Sequence, residues 1–398
     1  MMVDLDLISL EKQFIDGTKI EANAHKYSFV WKKSVEKNKA KLHQKINTVL
    51  SEIGQAIESD LIHTQNQEEI TIDSQKLEEK IQAINQNTKT AFLSKKQKKT
   101  VEKLEKEQLP KLQEYEKHLE NLGDRNSYSK IDTDATFMRM KEDHMKNGQL
   151  KAAYNVQIST ENQIITHFSV HQKSTDFTTL ESHLEGFKNA YDKTSKQIIA
   201  DAGYGSEENY QMLEQQQMEF FIPYNMYRME QKRKHKNNLF HTQNLYHNIE
   251  LDFLVCPMGQ RMEKIYTKES KTTTGFLQQH SVYQAQNCQG CPMRGQCFNA
   301  KGNRRIEINH NLQRLKAKAR ENLENKEGKE IYAKRCIEPE PVFGNIKQNK
   351  HFKRFSLRKL TKINIEFGLV AIAHNFAKWI EKIRLLGFIQ NHRVIECF

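Results

Sequence analysis

The chain is poor in the residues that loosen, staple or embed a protein. Glycine and proline number only 16 and 6 among 398 residues, which argues against long disordered linkers. Six cysteines in a chain of this length do not make a disulfide scaffold and point to a reducing cytoplasm. No apolar run approaches the roughly 18 residues needed to span a bilayer, so no membrane partner is expected. The first ten residues carry Asp4 and Asp6 and lack the basic start of a signal peptide. What the chain has in excess is positive charge, 62 Lys and Arg against 50 Asp and Glu, for a formal net charge of +12. That surplus favours an anionic partner, nucleic acid above all. A basic protein with no polyanion partner is the competing reading of charge alone. With 37% hydrophobic and 28% charged residues, the chain is globular and long enough for two or three structural units with a core.

Three acids stand out by their context. Phe14-Ile15-Asp16-Gly17-Thr18-Lys19-Ile20 reads as a strand bearing an aspartate, then a turn-capable glycine; an ordinary Asp-Gly turn is the simpler alternative. Ile198-Ile199-Ala200-Asp201-Ala202-Gly203 repeats the order of buried strand, aspartate and glycine. Ser206 then opens a helix with Glu207 and Glu208 in its first turn. An acid at the C-terminal end of a buried strand in an α/β arrangement is where ligand sites form. The third acid lies in residues 332–347, Y-A-K-R-C-I-E-P-E-P-V-F-G-N-I-K, where Pro339 and Pro341 suit the first turn of a helix. Glu340 and Lys347 are seven residues apart and predict a shared helix face two turns long. Tyr332 and Arg335 lie on the segment entering that turn. Two strand-end aspartates and a glutamate make an oxygen donor set for hard divalent cations, which suits phosphoryl displacement by a two-metal mechanism.

Between these points the chain alternates in character. Leu42, Ile46, Val49, Leu50 and Ile53, then Val101, Leu104, Leu112, Tyr115, Leu119 and Leu122, fall at helical spacing. They predict an antiparallel helical hairpin or short coiled coil. Its Lys95–Lys99 run reads as a solvated loop or helix end, with phosphate contact the sharper alternative. Residues 151–171 read as a β-hairpin and 177–191 as an amphipathic helix. Cys288, Cys291 and Cys297 form C-x₂-C-x₅-C, with Cys256 upstream; four thiolates at such spacing predict a structural Zn²⁺ site, against the alternative of reduced thiols in an insertion. Cys336 reads as a packed thiol. After Glu340, Lys347, Lys350, His351, Lys353, Arg354, Arg358, Lys359 and Lys362 run without an intervening acid, a plausible phosphate-binding stripe. Residues 363–379 then read as an apolar helix (Ile365, Leu369, Ile372, Ala373, Phe376) forming the last core layer, with His374 packed upon it.

The phrases F-I-D-G-T-K-I, D-T-D-A-T-F-M-R-M-K ahead of A-Y-N-V-Q, I-I-A-D-A-G-Y-G-S-E-E-N, and I-E-P-E-P-V-F-G-N-I-K followed by F-K-R-F run over nearly the whole chain. In that order the chain resembles the insertion-sequence DDE transposases, whose core is RNase H-like. The resemblance implies a catalytic triad of Asp16, Asp201 and Glu340 holding Mg²⁺ or Mn²⁺. It places the family's Tyr-Arg-Glu-Lys signature on Tyr332, Arg335, Glu340 and Lys347, one residue longer between Arg and Glu than the commonest spacing. Glu338 is therefore an alternative for the glutamate, and Asp132 or Asp134 for the first aspartate. Ala153 stands where the family often has glycine. The usual N-terminal helical domain is expected to be missing.

The expected fold is α/β: an RNase H-like mixed sheet flanked by helices. Residues 1–34 would hold the first core strands, 35–127 an inserted helical hairpin, 128–238 the continued core, 239–310 a β-rich cysteine insertion and 311–398 the C-terminal core with the Glu helix. The expected function is DNA strand cleavage at transposon ends and transfer of the 3′-OH to target DNA by a homo-oligomer. Tyr332, Arg335, Lys347, Lys350, Lys353, Arg354 and Arg358 would be its phosphate-binding residues. A non-catalytic DNA-binding remnant and an RNase H-fold nuclease are the alternatives.

Overall fold

The computed structural model describes residues 2–5, 7–57, 72–87, 95–140 and 148–395; Cys397 and residues 141–147 lie outside these. In chain order the strands are β1 (Lys12–Glu21), β2 (Phe29–Trp31), β3 (Ser127–Ser129), β4 (Thr136–Arg139), β5 (Leu150–Glu161), β6 (Ile164–His171), β7 (Gln197–Ala200), β8 (Glu219–Phe221), β9 (Tyr246–Asn248), β10 (Phe253–Val255), β11 (Arg261–Lys271), β12 (Leu277–Ala285) and β13 (Arg305–Ile308). The chain forms two units, one of Met1–Thr18, Asn155–Lys353 and Asn364–Phe398, the other of Lys19–Tyr154 and Arg354–Ile363.

In the first unit the strand order is β6-β5-β1-β7-β8. β6 and β5 are antiparallel, whereas β7 and β8 run parallel to β1. β5 runs antiparallel beside β1, with Thr160 Oγ1 donating to the Phe14 carbonyl and Gln157 beside Gly17. The central strands are buried almost throughout, polar residues included, because both faces of the sheet are covered. Ile15, Ile198, Ala200 and Phe220 point to one face and pack with Leu180, Leu184, Leu213 and Leu315 of the helices Leu180–Tyr191, Glu207–Gln215 and His310–Glu324. Phe14, Ile199 and Phe221 point to the other and meet Leu323 and Ile331, the latter on the helix Lys326–Ala333. Each such side chain is worth about 1.5–3 kcal/mol on full burial.

Between β8 and the helix His310–Glu324 a five-stranded sheet of order β13-β12-β11-β10-β9 is antiparallel throughout. Leu254, Met262, Tyr283, Ala285, Ile306 and Ile308 form its core. These strands lie between Tyr246 and Ile308, and Cys256, Cys288, Cys291 and Cys297 stand in the segments that connect them.

The second unit pairs β2 with β3 and β4 with the start of β5. Its helices differ from the two-helix hairpin expected. Among the described residues there are three helical segments: Lys32–Ile57, Ser74–Asn87, and Lys95–Lys103 continued through a π-helical turn, Leu104–Gln108, into Leu109–Leu122. Leu77, Ile81 and Ile84 place Ser74–Asn87 in the same core as Leu42, Ile46, Leu50, Val101, Leu104 and Leu112. The π-turn stands just before Pro110, whose ring and missing N–H disfavour a continuous α-helical ladder.

The helix Leu360–Ile395 corrects another expectation. Ile365, Leu369, Ile372 and Phe376 are 50–63% exposed, and the buried line is Ile363, Phe367, Ala371 and His374. The sequence carries two apolar stripes on one helix, and periodicity cannot choose between them. Phe367 decides by its ring contacts, 5.2 Å to Phe168 and 6.4 Å to Phe352 between centroids. His374 is packed as expected, with Nε2 2.9 Å from the Gln163 carbonyl. No helix among the described residues is long and apolar enough to cross a membrane.

Candidate active site

The parallel register of β1 and β7 sets Ile15 opposite Ala200, so Asp16 lies beside Asp201. Asp201 follows the end of β7, whereas β1 runs on to Glu21 and Asp16 sits within it, not at the strand end expected. Asp16 is buried at 7% exposure. Asp201 caps the 3₁₀ turn Ala202–Tyr204, with Oδ1 accepting from the Gly203 N–H at 2.8 Å. Ser206 Oγ caps the next helix by accepting from Asn209 N–H at 3.2 Å. The strands thus hold two acids at one edge, and the glycine turn keeps the backbone after Asp201 low.

A single guanidinium joins this pair to the third acid. Arg335 lies on the 3₁₀ turn Lys334–Ile337, just before the short helix Pro339–Gly344. Its Nη2 is 3.7 Å from Asp16 Oδ1 and 3.7 Å from Asp201 Oδ2, and its Nη1 donates to Glu340 Oε1 at 3.0 Å. Burial disfavours the charged guanidinium, but Asp16 and Asp201 outweigh that and hold its pKa above the usual arginine value. Glu340 sits in the first turn of its helix behind Pro339, where the free N–H groups favour a carboxylate.

The neighbouring glutamate has a different task. Glu338 is 7% exposed and accepts from the Gln163 N–H at 2.8 Å, in the β5–β6 turn where Asn162 and Gln163 both have positive φ. Burial raises its pKa above the ordinary glutamate value, against the backbone bonds that lower it. Tyr332 packs on the Phe14, Ile199 and Phe221 cluster, and burial pushes its hydroxyl pKa up. Lys347 is buried on the π-helical turn Asn345–Asn349. That turn breaks the α-helical period on which a shared face with Glu340 depends, and Glu340 is 48% exposed. Cys336, expected to be packed, is exposed on the 3₁₀ turn.

In the second unit, Asp132 and Asp134 act as a helix cap. Asp132 is buried, accepting from the Tyr154 hydroxyl at 2.9 Å and from the Lys359 N–H at 3.1 Å; Asp134 accepts from the Leu360 N–H at 2.8 Å. Two expected phosphate-binding residues are bonded to backbone there: Arg354 to the Ala24 carbonyl and Arg358 to the Asn23 carbonyl, both at 2.9 Å. Lys350 is exposed in the first unit, as is Lys353.

One acid escaped the sequence reading. Asp176 opens the turn after β6, and both Asn155 Nδ2 and Gln157 Nε2 donate to its Oδ1, at 2.8 and 3.0 Å. A Cβ placed on Gly17 would lie 2.8 Å from that oxygen, and one on Gly203 would lie 3.6 Å from Asp176 Oδ2 and 2.8 Å from Asp201 Oδ1. A larger residue at either position would have to displace these side chains. Two buried amides two residues apart on β5 were the signal that could have pointed to it.

The four cysteines of the insertion line one small cavity with Arg304. The Arg304 N–H and Nη1 donate to the sulfurs of Cys288 and Cys297, at 3.3 and 3.0 Å. Among the described residues no group of three or more His, Cys, Asp or Glu is preassembled for a metal ion. At the acidic site the guanidinium of Arg335 stands between the carboxylates and takes up the positive charge they invite. The donor chemistry there, hard carboxylate oxygens around a cation, fits Mg²⁺ or Mn²⁺.

Residues 255–380 match the family model described as Transposase DDE domain. The matched segment contains the cysteines, Arg335 and Glu340, and neither Asp16 nor Asp201. No curated protein and no solved structure matches the chain.

Proposed function

We propose, on the match of residues 255–380 to a transposase DDE domain, that the chain is an insertion-sequence DDE transposase with Asp16, Asp201 and Glu340 as its catalytic carboxylates. One observation carries this assignment: Arg335 reaches all three within 3.0–3.7 Å, while Glu338 and Asp132 are spent on backbone N–H groups. The antiparallel β6-β5-β1 meander, extended by parallel β7 and β8, supports the RNase H-like reading of the core.

Divalent cations held by these carboxylates supply an activated water or 3′-hydroxyl and stabilise the leaving oxygen of an in-line displacement. The chain's own groups do the rest. Arg335 fixes Glu340 through its Nη1 bond and supplies a positive charge where a phosphodiester enters. Tyr332, wedged against the sheet, limits how far the Arg335 turn can move. Lys350 and Lys353 are exposed cations able to meet DNA phosphates. The substrate is DNA, cleaved at transposon ends and joined to target by a homo-oligomer. The cysteine cavity holds a structural zinc.

The test is cleavage and strand transfer on end-containing DNA with Mg²⁺. Asp201→Ala and Glu340→Gln should abolish both while leaving the melting temperature within a few degrees; Glu338→Gln and Asp134→Asn should retain them. Cleavage surviving Asp201→Ala refutes the assignment, and cleavage without joining shows a nuclease instead.

A further inference from the structure

We propose that Asp176 is a fourth carboxylate of this centre, an oxygen ligand arm toward the divalent cation that Asp16 and Asp201 hold. The inference rests on the reading of Asp16, Asp201 and Glu340 given above.

Two buried amides hold Asp176 in place. Asn155 and Gln157 are 0% exposed and lie two residues apart on β5, hence on the same face. A buried amide is costly unless its hydrogen bonds are made. Both spend theirs on a single oxygen, Asp176 Oδ1. Gln157 is itself oriented, donating to Asn155 Oδ1 at 3.0 Å and accepting from the Tyr204 hydroxyl. This fork fixes the carboxylate in rotation and turns Oδ2 toward the Gly203 loop, where Asp201 Oδ1 also points.

The turn that carries Asp176 does not need its side chain. The Asp176 carbonyl closes it, accepting from the Thr179 N–H at 3.0 Å and from Thr179 Oγ1 at 2.7 Å. Asn155 and Gln157 are neutral and bring no positive charge to the carboxylate. Burial raises the pKa of the Tyr204 hydroxyl, and Asp176, Asp16 and Asp201 push it further up; the fields of these three acids converge on one phenol. Three carboxylates around one guanidinium, with Asp176 near the Gly203 loop beside Asp201, leave an excess of negative charge that divalent cations suit. Gly17 and Gly203 leave the space that Asp176 occupies, next to the loop that also holds Asp201 Oδ1.

The experiment is a Mn²⁺ titration of the full chain without DNA, followed by electron paramagnetic resonance. Three proteins are compared: wild type, Asp176→Asn and Asp201→Asn. Asparagine at 176 still presents an oxygen to the Asn155 and Gln157 amides, so the turn and the melting temperature should be kept. The expected result is Mn²⁺ affinity weakened about tenfold or more in Asp176→Asn, the scale on which groups supporting a metal site act. Unchanged affinity in Asp176→Asn, with binding lost in Asp201→Asn, overturns the role of Asp176 and leaves the centre intact. Unchanged affinity in both variants overturns the centre itself. Should Asp176→Asn fail to fold, Asp176→Ser, which also keeps an acceptor for the amides, is read in the same way.

Discussion

Arg335→Ala is the most informative single change, because it removes a cation and not an acid. At 3.7 Å, and with the effective dielectric near 20 that suits protein sites, one pair of unit charges interacts by about 4 kcal/mol. The Arg335–Asp16 pair merits most of that, the two side chains being 12% and 10% exposed. The contacts with Asp201 and Glu340 are discounted for solvent, at 33% and 48% exposure. Removing one partner of a buried pair costs about 3–5 kcal/mol, mainly from the charge left behind; about 3 kcal/mol is expected here. In EDTA, urea denaturation should show that loss. Saturating Mg²⁺ should then restore most of it in the variant, since a ligand at a hundred times its Kd contributes about 2.7 kcal/mol. Wild type should gain less, because the guanidinium already holds the position between the acids. Arg335→Lys should fall between, keeping the charge but losing the fork that reaches three acids at once. A loss in EDTA below about 1 kcal/mol, or equal Mg²⁺ stabilisation of wild type and Arg335→Ala, would refute the view that a cation is required at this point.

Three further outcomes are expected. Glu338→Gln should be neutral or mildly stabilising at pH 7 and Glu338→Ala should cost about 1–3 kcal/mol, because only the alanine strands the Gln163 N–H. The Glu338 pKa is raised in the fold, so its charged form opposes folding. Wild-type stability relative to Glu338→Gln should fall as the pH climbs above the ordinary glutamate value of 4.5, a trend urea curves at several pH values would reveal. Burial lowers the pKa values of His167 and His171 to about 4, so between pH 6.5 and 4 the unfolded chain binds more protons and stability drops with falling pH. His167 Nε2 makes no hydrogen bond and its ring meets Phe168 and Phe187, so His167→Phe should fold and reduce that slope by about 1.4 kcal/mol per pH unit. Metal analysis should find one zinc per chain, and Cys288→Ser should release it and lower the melting temperature of the insertion; zinc-free protein with unchanged melting would exclude the structural zinc.

What could be read from the sequence depended on whether a residue's role was set locally. Asp201 follows a short apolar strand and Asp16 sits within the buried stretch of a longer one, and a strand cannot bury its apolar residues without also fixing where the acid emerges. The β5–β6 hairpin and the cysteine insertion were legible for the same reason, through period-2 alternation and spacing. The helix Ser74–Asn87 was passed over because its apolar positions, Leu77, Ile81 and Ile84, acquire meaning only beside the longer helices they pack on. The face of Leu360–Ile395 was misassigned because a stripe of Ile, Leu and Phe looks like core, whereas the buried line includes an alanine and a histidine. There the neighbours decide, through Phe168 and Phe352 for Phe367 and the Gln163 carbonyl for His374.

The same distinction separates Glu340 from Glu338 and hides Asp176. Two glutamates flank Pro339, and spacing to Lys347 favoured the second on the premise of an unbroken α-helix. The helix is broken by the π-turn at Asn345, so that premise fails. The choice now rests on partners instead: Glu338 is tied to the β5–β6 turn, and Glu340 is tied to Arg335. Asp176 has no local mark beyond a threonine-rich loop. Its position is imposed by Asn155 and Gln157, polar residues at strand positions where an apolar side chain would pack at no hydrogen-bonding cost. Two buried amides on one face of a central strand therefore imply a polar partner before that partner is known, and here the partner is a carboxylate next to the loop that holds Asp201.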